Sequence, residues 1–315
     1  MGRGKNKENE LWFKKKSLSH NGCDRFELTS VIGEGNFGKV LLGIDLKKNV
    51  RCAVKKIEVV ATVELNLGLK EVAVHRALKH KNIVGYLGAC KRGTFLLLYM
   101  DYMSHGDLKR LGMPDMTVDT CLFFFEQLVA GLKYLHGKGF FHGDIKPENL
   151  LVSSCGTIKI ADFGFADRSV DSAAKNIFHS AFIGTAPYRA AEIHDAQYLG
   201  APVDIWSAGI VLFELVTGAP PWTDSFRNRG SQSDSLATTG NVGEAWLSRT
   251  TPEIQSLMKG MLQEKVEERF TAKRVLYFIK ENKIFAGNRR DQSRWTVRKF
   301  LSVTQPEGKV MAASF

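Results

Sequence analysis

The sequence predicts an α+β fold of two lobes, a small antiparallel β-sheet lobe with one main helix and a larger, mostly helical lobe. Up to about Tyr99 the β-like segments surround a single helical one. After Gly106 long segments with apolar periodicity dominate, including residues 118–137 and 252–263. The predicted boundaries are residues 26–102 for the first lobe and 103–285 for the second. The length of 315 residues suits such a pair of lobes.

Basic tails are predicted on both sides of the folded region, at residues 1–25 and 286–315. The net charge is +11, and each tail contributes +4 of it. Because the charge lies in the tails, we expect no folded nucleic-acid-binding patch. The basic run 14–16 fits either nuclear import or simple solubility.

The five cysteines, at positions 23, 52, 90, 121 and 155, are scattered and form no CxxC pair. This spacing predicts neither a disulfide framework nor a zinc site, and it favours a reducing compartment. The charged N-terminal stretch lacks the apolar core of a signal peptide. The apolar run 122–125 is too short for a membrane span. We therefore expect an intracellular monomer, nuclear or cytoplasmic, without membrane partners.

A glycine-rich loop stands at residues 32–40, which read IGEGNFGKV. Glycine at positions 33, 35 and 38 lets backbone N–H groups approach a phosphate, because no Cβ atoms intervene. A dinucleotide-binding turn is the usual alternative, but it needs a strand–turn–helix context and an acidic residue about twenty positions later. Here β-like segments flank the loop on both sides. The context therefore favours a β-hairpin that covers phosphates.

After the loop come a lysine on a β-like segment and a glutamate on a helical segment, which could form an ion pair. Lys55 lies on the next β-like segment, and strand alternation places Lys56 on the opposite, exposed face. The helical segment 68–78 contains Glu71, which the spacing to downstream residues favours as the partner of Lys55. Glu64 competes for this assignment, with less helical context around it. His75 lies one turn after Glu71, and we expect it to pack rather than to catalyse.

The most informative stretch for catalysis is HGDIKPENLL, residues 142–151, which is followed by Asp162-Phe163-Gly164. Asp144 could orient an attacking hydroxyl, and Lys146 could neutralise charge on a transferred phosphate. Asn149 and Asp162 offer the oxygen ligands that Mg²⁺ prefers. The order of these residue types predicts phosphoryl transfer.

With these motifs, residues 26–285 resemble a eukaryotic protein kinase domain. GTAPYRAAE (184–192), PVDIWSAGIVLFELVTGAPPW (202–222) and Arg269 agree with that family. The resemblance implies the two-lobed kinase fold, the cofactors ATP and Mg²⁺, and protein substrates with serine or threonine hydroxyls. Closer details, such as residues 134–151, are similar to the checkpoint kinase 1 subfamily. That similarity suggests cell-cycle or DNA-damage checkpoint signalling.

The resemblance also implies a role for individual residues. Asp144 and Lys146 would be catalytic, while Asn149 and Asp162 would bind magnesium. Met100 would be the gatekeeper, and Asp107 would reach the ribose or a basic substrate side chain. Further residues would be structural: Thr185 bracing Asp144 and Lys146, Phe163 packing on His142, Asp204 capping the catalytic loop, and Arg269 pairing with Glu192. The implied nucleotide contacts are Ile32, Gly33, Glu34, Gly35, Asn36, Phe37, Gly38, Lys39, Val40, Ala53, Lys55, Glu71, Met100, Asp101, Met103 and Asp107.

Two residues depart from the family pattern. Gly143 stands where most kinases have an arginine that meets an activation-loop phosphate, which predicts activity independent of such phosphorylation. Ala191 replaces a proline and is expected to cost about 1 kcal/mol of local stability. Two rival functions remain open at this point, a nucleotide-binding pseudokinase that acts as a scaffold and a small-molecule phosphotransferase. The intact charged residues disfavour the first, and GTAPYRAAE disfavours the second.

Overall fold

The structure is a computed structural model that describes residues 23–35, 38–111, 116–170, 175–195, 197–221, 250–282 and 284. Within these residues the two predicted lobes are present, and the α+β fold class is confirmed. Residues 1–22 and 286–315 of the predicted tails, the polar, glycine- and serine-rich segment 225–243, and the loop residues Asn36 and Phe37 lie outside the described residues.

The N-terminal lobe is built on one antiparallel sheet of five strands, in the order β1-β2-β3-β5-β4. Strand β1 pairs with β2 around the glycine-rich loop, and Gly33 stands opposite Val40. Strand β3 lies in the middle of the sheet, so Lys55 has partners on both sides. The strands are β1 (Phe26–Gly35), β2 (Gly38–Asp45), β3 (Val50–Glu58), β4 (Tyr86–Arg92) and β5 (Phe95–Asp101).

Helix α1 (Thr62–Ala77) packs beside this sheet and begins six residues before the predicted start. Glu64 explains the early start, because its Oε2 accepts hydrogen bonds from the backbone N–H groups of Val60 and Ala61 at 2.7 and 2.8 Å. A carboxylate that caps free N–H groups stabilises a helix N-terminus. Glu64, the alternative partner of Lys55 in the sequence analysis, is therefore a capping residue.

The C-terminal lobe is mostly helical. In the part of this lobe that the structure describes, the α-helices are α2 (Val118–Gly137), α3 (Gly200–Thr217), α4 (Pro252–Met261) and α5 (Ala272–Glu281). Two-stranded ladders join β6 (Phe140–Phe141) to β9 (Asp167–Arg168), β7 (Leu150–Val152) to β8 (Ile158–Ile160), and β10 (Phe178–His179) to β11 (Tyr198–Leu199). The β7–β8 hairpin and β6 flank residues 142–149 and so position them.

Helix α3 forms the centre of this lobe. By length and composition it could cross a membrane, but 83% of the helix is buried inside the folded protein. A helix that is apolar around its whole circumference is typical of the core of a large lobe. Trp206 and Phe213, both completely buried, are among its largest side chains.

One cysteine prediction is wrong. Cys90 in β4 is disulfide-bonded, whereas Cys52, Cys121 and Cys155 form no disulfide bond. Spacing along the chain does not report which sulfur atoms meet in space, so the pattern of cysteines could not reveal this bond.

Candidate active site

Lys55 joins the two lobes through two carboxylates. Its Nζ donates hydrogen bonds to Glu71 Oε1 on α1 and to Asp162 Oδ1, each at 2.8 Å. All three side chains are at least 94% buried. The predicted partner Glu71 is therefore the one that Lys55 contacts.

These charges determine each other's protonation. Burial alone would lower the pKa of Lys55, but the charges of Asp162 and Glu71 raise it overall. Burial opposes ionisation of Asp162 as well, yet Lys55 holds the pKa of that carboxyl below its usual range. Burial raises the pKa of Glu71. With all three groups ionised the cluster carries one net negative charge, which would favour a cation beside it.

A row of buried rings supports Asp162. The His75 and Phe163 ring centroids lie 5.0 Å apart, and those of Phe163 and His142 lie 5.3 Å apart. His75 Nε2 donates to the carbonyl of Val84 at 2.7 Å, and burial lowers the pKa of His75 to about 4. The neutral ring packs against Phe163, which confirms the prediction that His75 is a packing residue. The predicted contact between Phe163 and His142 is also confirmed.

Asp144 and Lys146 meet at a hydroxyl group. Thr185 Oγ1 donates to Asp144 Oδ1 at 2.7 Å and accepts from Lys146 Nζ at 2.8 Å. Lys146 Nζ also lies 2.9 Å from Asp144 Oδ2. The predicted bracing by Thr185 is confirmed. A carboxylate and a cation are thus held side by side at the mouth of the cleft.

Asp204 on α3 holds the backbone of the same loop. Its two carboxylate oxygens accept from the N–H groups of His142 at 2.8 Å and Gly143 at 2.9 Å. Gly143 has φ +81°, and a Cβ there would lie 2.8 Å from Ile183 Cδ1. Glycine fits this left-handed turn without strain. The sequence did not predict that His136 Nε2 also contacts Asp204, at 2.8 Å.

Asn149 lies next to Asp144 and presents an unused oxygen. Its Nδ2 donates to the backbone carbonyl of Asp144 at 2.8 Å and to the carboxylate at 3.2 Å. Its Oδ1 is buried and has no hydrogen-bond partner. Buried polar atoms are usually paired, so an orphan acceptor invites a ligand. The described residues contain no cluster of three or more His, Cys, Asp or Glu side chains that could hold a metal. Mg²⁺ does not need one, because phosphates and water complete its shell.

A buried apolar cluster connects the glycine-rich hairpin with the C-terminal lobe. It includes five predicted nucleotide contacts, Ile32, Val40, Ala53, Met100 and Met103. Leu151 and Ala161 close the same cluster from the other lobe. Sequence reasoning missed these two, although Leu151 ends the motif 142–151 and Ala161 directly precedes Asp162-Phe163-Gly164.

Gly38 shows why the hairpin needs glycine. It has φ +121°, and a Cβ would lie 2.2 Å from the backbone oxygen of Lys56 on the neighbouring strand. Glu34 and Lys39 stand opposite each other beside the loop and form an exposed ion pair at 3.3 Å. Lys56, on the other face of β3 from Lys55, lies 3.7 Å from the centroid of the Phe95 ring.

Asp107 is engaged within its own turn. It is buried, and its Oδ1 accepts from the N–H of Arg110 at 3.0 Å, while the Arg110 guanidinium lies 3.4 Å from Oδ2. A contact with ribose or substrate stays a prediction for this residue, as it does for Asp101 at the end of β5.

Comparison with known proteins agrees with this geometry. The family description "protein kinase domain" matches residues 26–278. The chain belongs to the protein kinase family. The five-stranded sheet, the Lys55–Glu71 pair and the loop around Asp144 are thus parts of a kinase domain.

Several curated kinases are similar to this one. CBL-interacting serine/threonine-protein kinase 21 of Arabidopsis thaliana is 37% identical over 205 residues, which are 64% of this chain and 48% of that protein. Serine/threonine-protein kinase chk-1 of Caenorhabditis briggsae is 35% identical over 204 residues, 62% and 41% of the two chains. Serine/threonine-protein kinase chk1 of Schizosaccharomyces pombe is 31% identical over 254 residues, 78% and 51%. These matches span about half the length of the relatives or less.

Proposed function

We propose that this kinase domain transfers the γ-phosphoryl group of ATP to serine or threonine hydroxyls of proteins, with Mg²⁺ as cofactor. The observation that carries the proposal is the hydrogen-bonded group of Asp144, Lys146 and Thr185 beside the unpartnered oxygen of Asn149. All the charged groups that phosphoryl transfer needs are present and in contact, which removes the main reason to consider a pseudokinase.

Positioning of the substrate hydroxyl is assigned to Asp144. Its carboxylate is held by Thr185 and by Asn149 Nδ2, so it can accept a hydrogen bond from the hydroxyl and then its proton. Lys146 is hydrogen-bonded to Thr185, and its positive charge stabilises the phosphoryl oxygens while the phosphoryl group is transferred. A preorganised group of this kind stabilises the transition state without moving.

Nucleotide binding is assigned to the cleft between the lobes. The apolar cluster around Ala53, Met100 and Leu151 would hold the adenine ring. Lys55, fixed by Glu71, would contact the α- and β-phosphates. Asn149 Oδ1 and the Asp162 carboxylate would hold Mg²⁺, which neutralises phosphate charge when bound.

The test is transfer of radiolabelled phosphate from Mg-ATP to a basic peptide that contains serine and threonine. We expect incorporation by the unchanged protein and a loss of about 10²–10⁴-fold in Asp144→Asn, since the general base is removed. Asp119→Asn, a carboxylate change in the first turn of α2, is the matched control and should retain activity.

Nucleotide binding is measured in parallel by thermal shift. Binding without incorporation in the unchanged protein would refute catalysis and favour a scaffold.

A place in checkpoint signalling is also proposed, because of the resemblance in residues 134–151 and the similarity to the chk1 proteins.

A further inference from the structure

A second ion pair joins helix α1 to the segment that follows Asp162. Lys70 Nζ lies 2.6 Å from Asp167 Oδ2, although 97 positions separate the two residues. Their side chains are 25% and 34% exposed, so this pair is only partly buried, unlike the charges around Lys55. No motif identified in the sequence contains both residues.

The neighbours of this pair are the buried charges of the active site. Lys70 immediately precedes Glu71, and Asp167 follows Asp162 by five positions. Lys55 already joins Glu71 to Asp162. The same two chain segments are therefore connected twice, once through Lys55 and once directly through Lys70 and Asp167.

Asp167 is also connected to the catalytic loop. It lies on β9 opposite Phe141 of β6, and His142 follows Phe141 directly. A displacement of α1 that broke the Lys70–Asp167 contact would thus remove one of the two connections of α1 to the segment after Asp162, at a residue paired with the strand that leads to Asp144. A hydrogen-bonded strand pair transmits such a constraint because its register is defined.

We propose that Lys70 and Asp167 are positioning residues that hold α1, and with it Glu71, in the arrangement that phosphoryl transfer needs. The inference rests on the proposed function. Asp167 places a carboxylate on the segment after Asp162. Gly143 supplies no cation there, so this segment is tied to α1 by its own carboxylate.

The decisive variants exchange the two charges. Lys70→Glu and Asp167→Lys each place like charges in contact, and the double variant restores an opposite pair. We expect each single change to lower kcat about fivefold with little change in the KM for the peptide, and the double variant to recover most of the loss. Arg76→Glu, the same charge change on an exposed residue of α1 that forms no ion pair with the described residues, should have no effect.

A second readout does not need activity. Backbone hydrogen exchange across residues 62–77 should be faster in the single variants, return toward the original rate in the double variant, and stay unchanged in Arg76→Glu. The experiments are run at pH 8, where His179 is neutral because burial lowers its pKa. Lys70→Gln and Asp167→Asn replace the reversals if those do not fold.

The outcomes separate the two proposals. If the unchanged protein transfers no phosphate, the proposed function fails, and hydrogen exchange alone decides on the ion pair. If the single variants match Arg76→Glu in both readouts, or the double variant recovers neither, the positioning role is overturned.

Discussion

Arg269 and Glu192 form two hydrogen bonds with each other, Nη1 to Oε1 at 2.5 Å and Nη2 to Oε2 at 3.0 Å. Arg269 also donates to the carbonyls of Pro202 and Gln263 at 3.0 and 2.9 Å. The predicted pair is confirmed, and it ties the end of the segment around Thr185 to the start of α3 and the loop before α5.

Loss of one partner of this pair should strongly destabilise the protein. The Arg269 side chain is completely buried, so Arg269→Ala leaves Glu192 as an unpaired, largely buried charge. We expect the free energy of unfolding to fall by about 3–5 kcal/mol, measured by denaturant unfolding. Lys265→Ala, which removes an exposed ion pair with Glu268, is the control. Equal midpoints for the two variants would contradict the prediction.

His75 should make the fold sensitive to acid. Its pKa is about 4 in the folded protein and 6.5 when unfolded, so the unfolded chain takes up the proton first. Stability should therefore fall as the pH drops from 6.5 toward 4, by about 3 kcal/mol, and not change above 6.5 on this account. In His75→Gln this loss of stability between pH 6.5 and 4 should disappear. If the free energy of unfolding changes with pH equally in both proteins between pH 8 and 4, the prediction is refuted.

Gly143 should not tolerate a side chain. Because its φ is +81° and a Cβ would meet Ile183, Gly143→Ala should lower stability by about 1–2 kcal/mol. It should also lower kcat, since Asp144 is the next residue. Gly137→Ala is the control, because no atom lies within 4 Å of its Cβ position. A Gly143→Ala protein as stable as the control would show that the turn relaxes without strain.

Activity should not depend on phosphorylation of the segment after Asp162. Gly143 leaves a phosphate there without its usual cation, and Asp167 already engages Lys70. Exposed Ser180 is the test position, and Ser180→Glu should leave turnover unchanged. A rise of about tenfold would contradict this, since one such factor equals about 1.4 kcal/mol of transition-state stabilisation. Ser169 is buried, and Ser172 lies outside the described residues.

Asn149 should control the magnesium requirement. Asn149→Ala removes the orphan Oδ1, so a higher Mg²⁺ concentration should be needed for half-maximal transfer. This concentration is measured by titrating Mg²⁺ at a fixed ATP concentration and recording phosphate transfer. Asn282→Ala, at the end of α5, is the control amide. An unchanged Mg²⁺ dependence would remove Asn149 from the metal site.

Much of the cleft was predictable because short motifs encode local backbone shape and charge together. Glycine at 38, lysine at 55 and the acidic residues at 71, 144 and 162 could all be named from spacing. The Lys70–Asp167 contact could not, since lysine and aspartate are ordinary surface residues and only the three-dimensional fold brings these two together across 97 positions. The early start of α1 was missed because Glu64 reaches backward to cap it. Such a contact carries no periodicity.

Helix α3 has a consequence for how the C-terminal lobe assembles. Since 83% of this helix is buried and most of its side chains are apolar, it has little surface suited to water, and we expect it to be stable only once α2 and α4 pack against it. Asp204, Arg269 and the catalytic loop all take their positions from this helix. We therefore expect the residues around Asp144 to take their positions only when the lobe folds cooperatively, and α3 to be prone to aggregation until then.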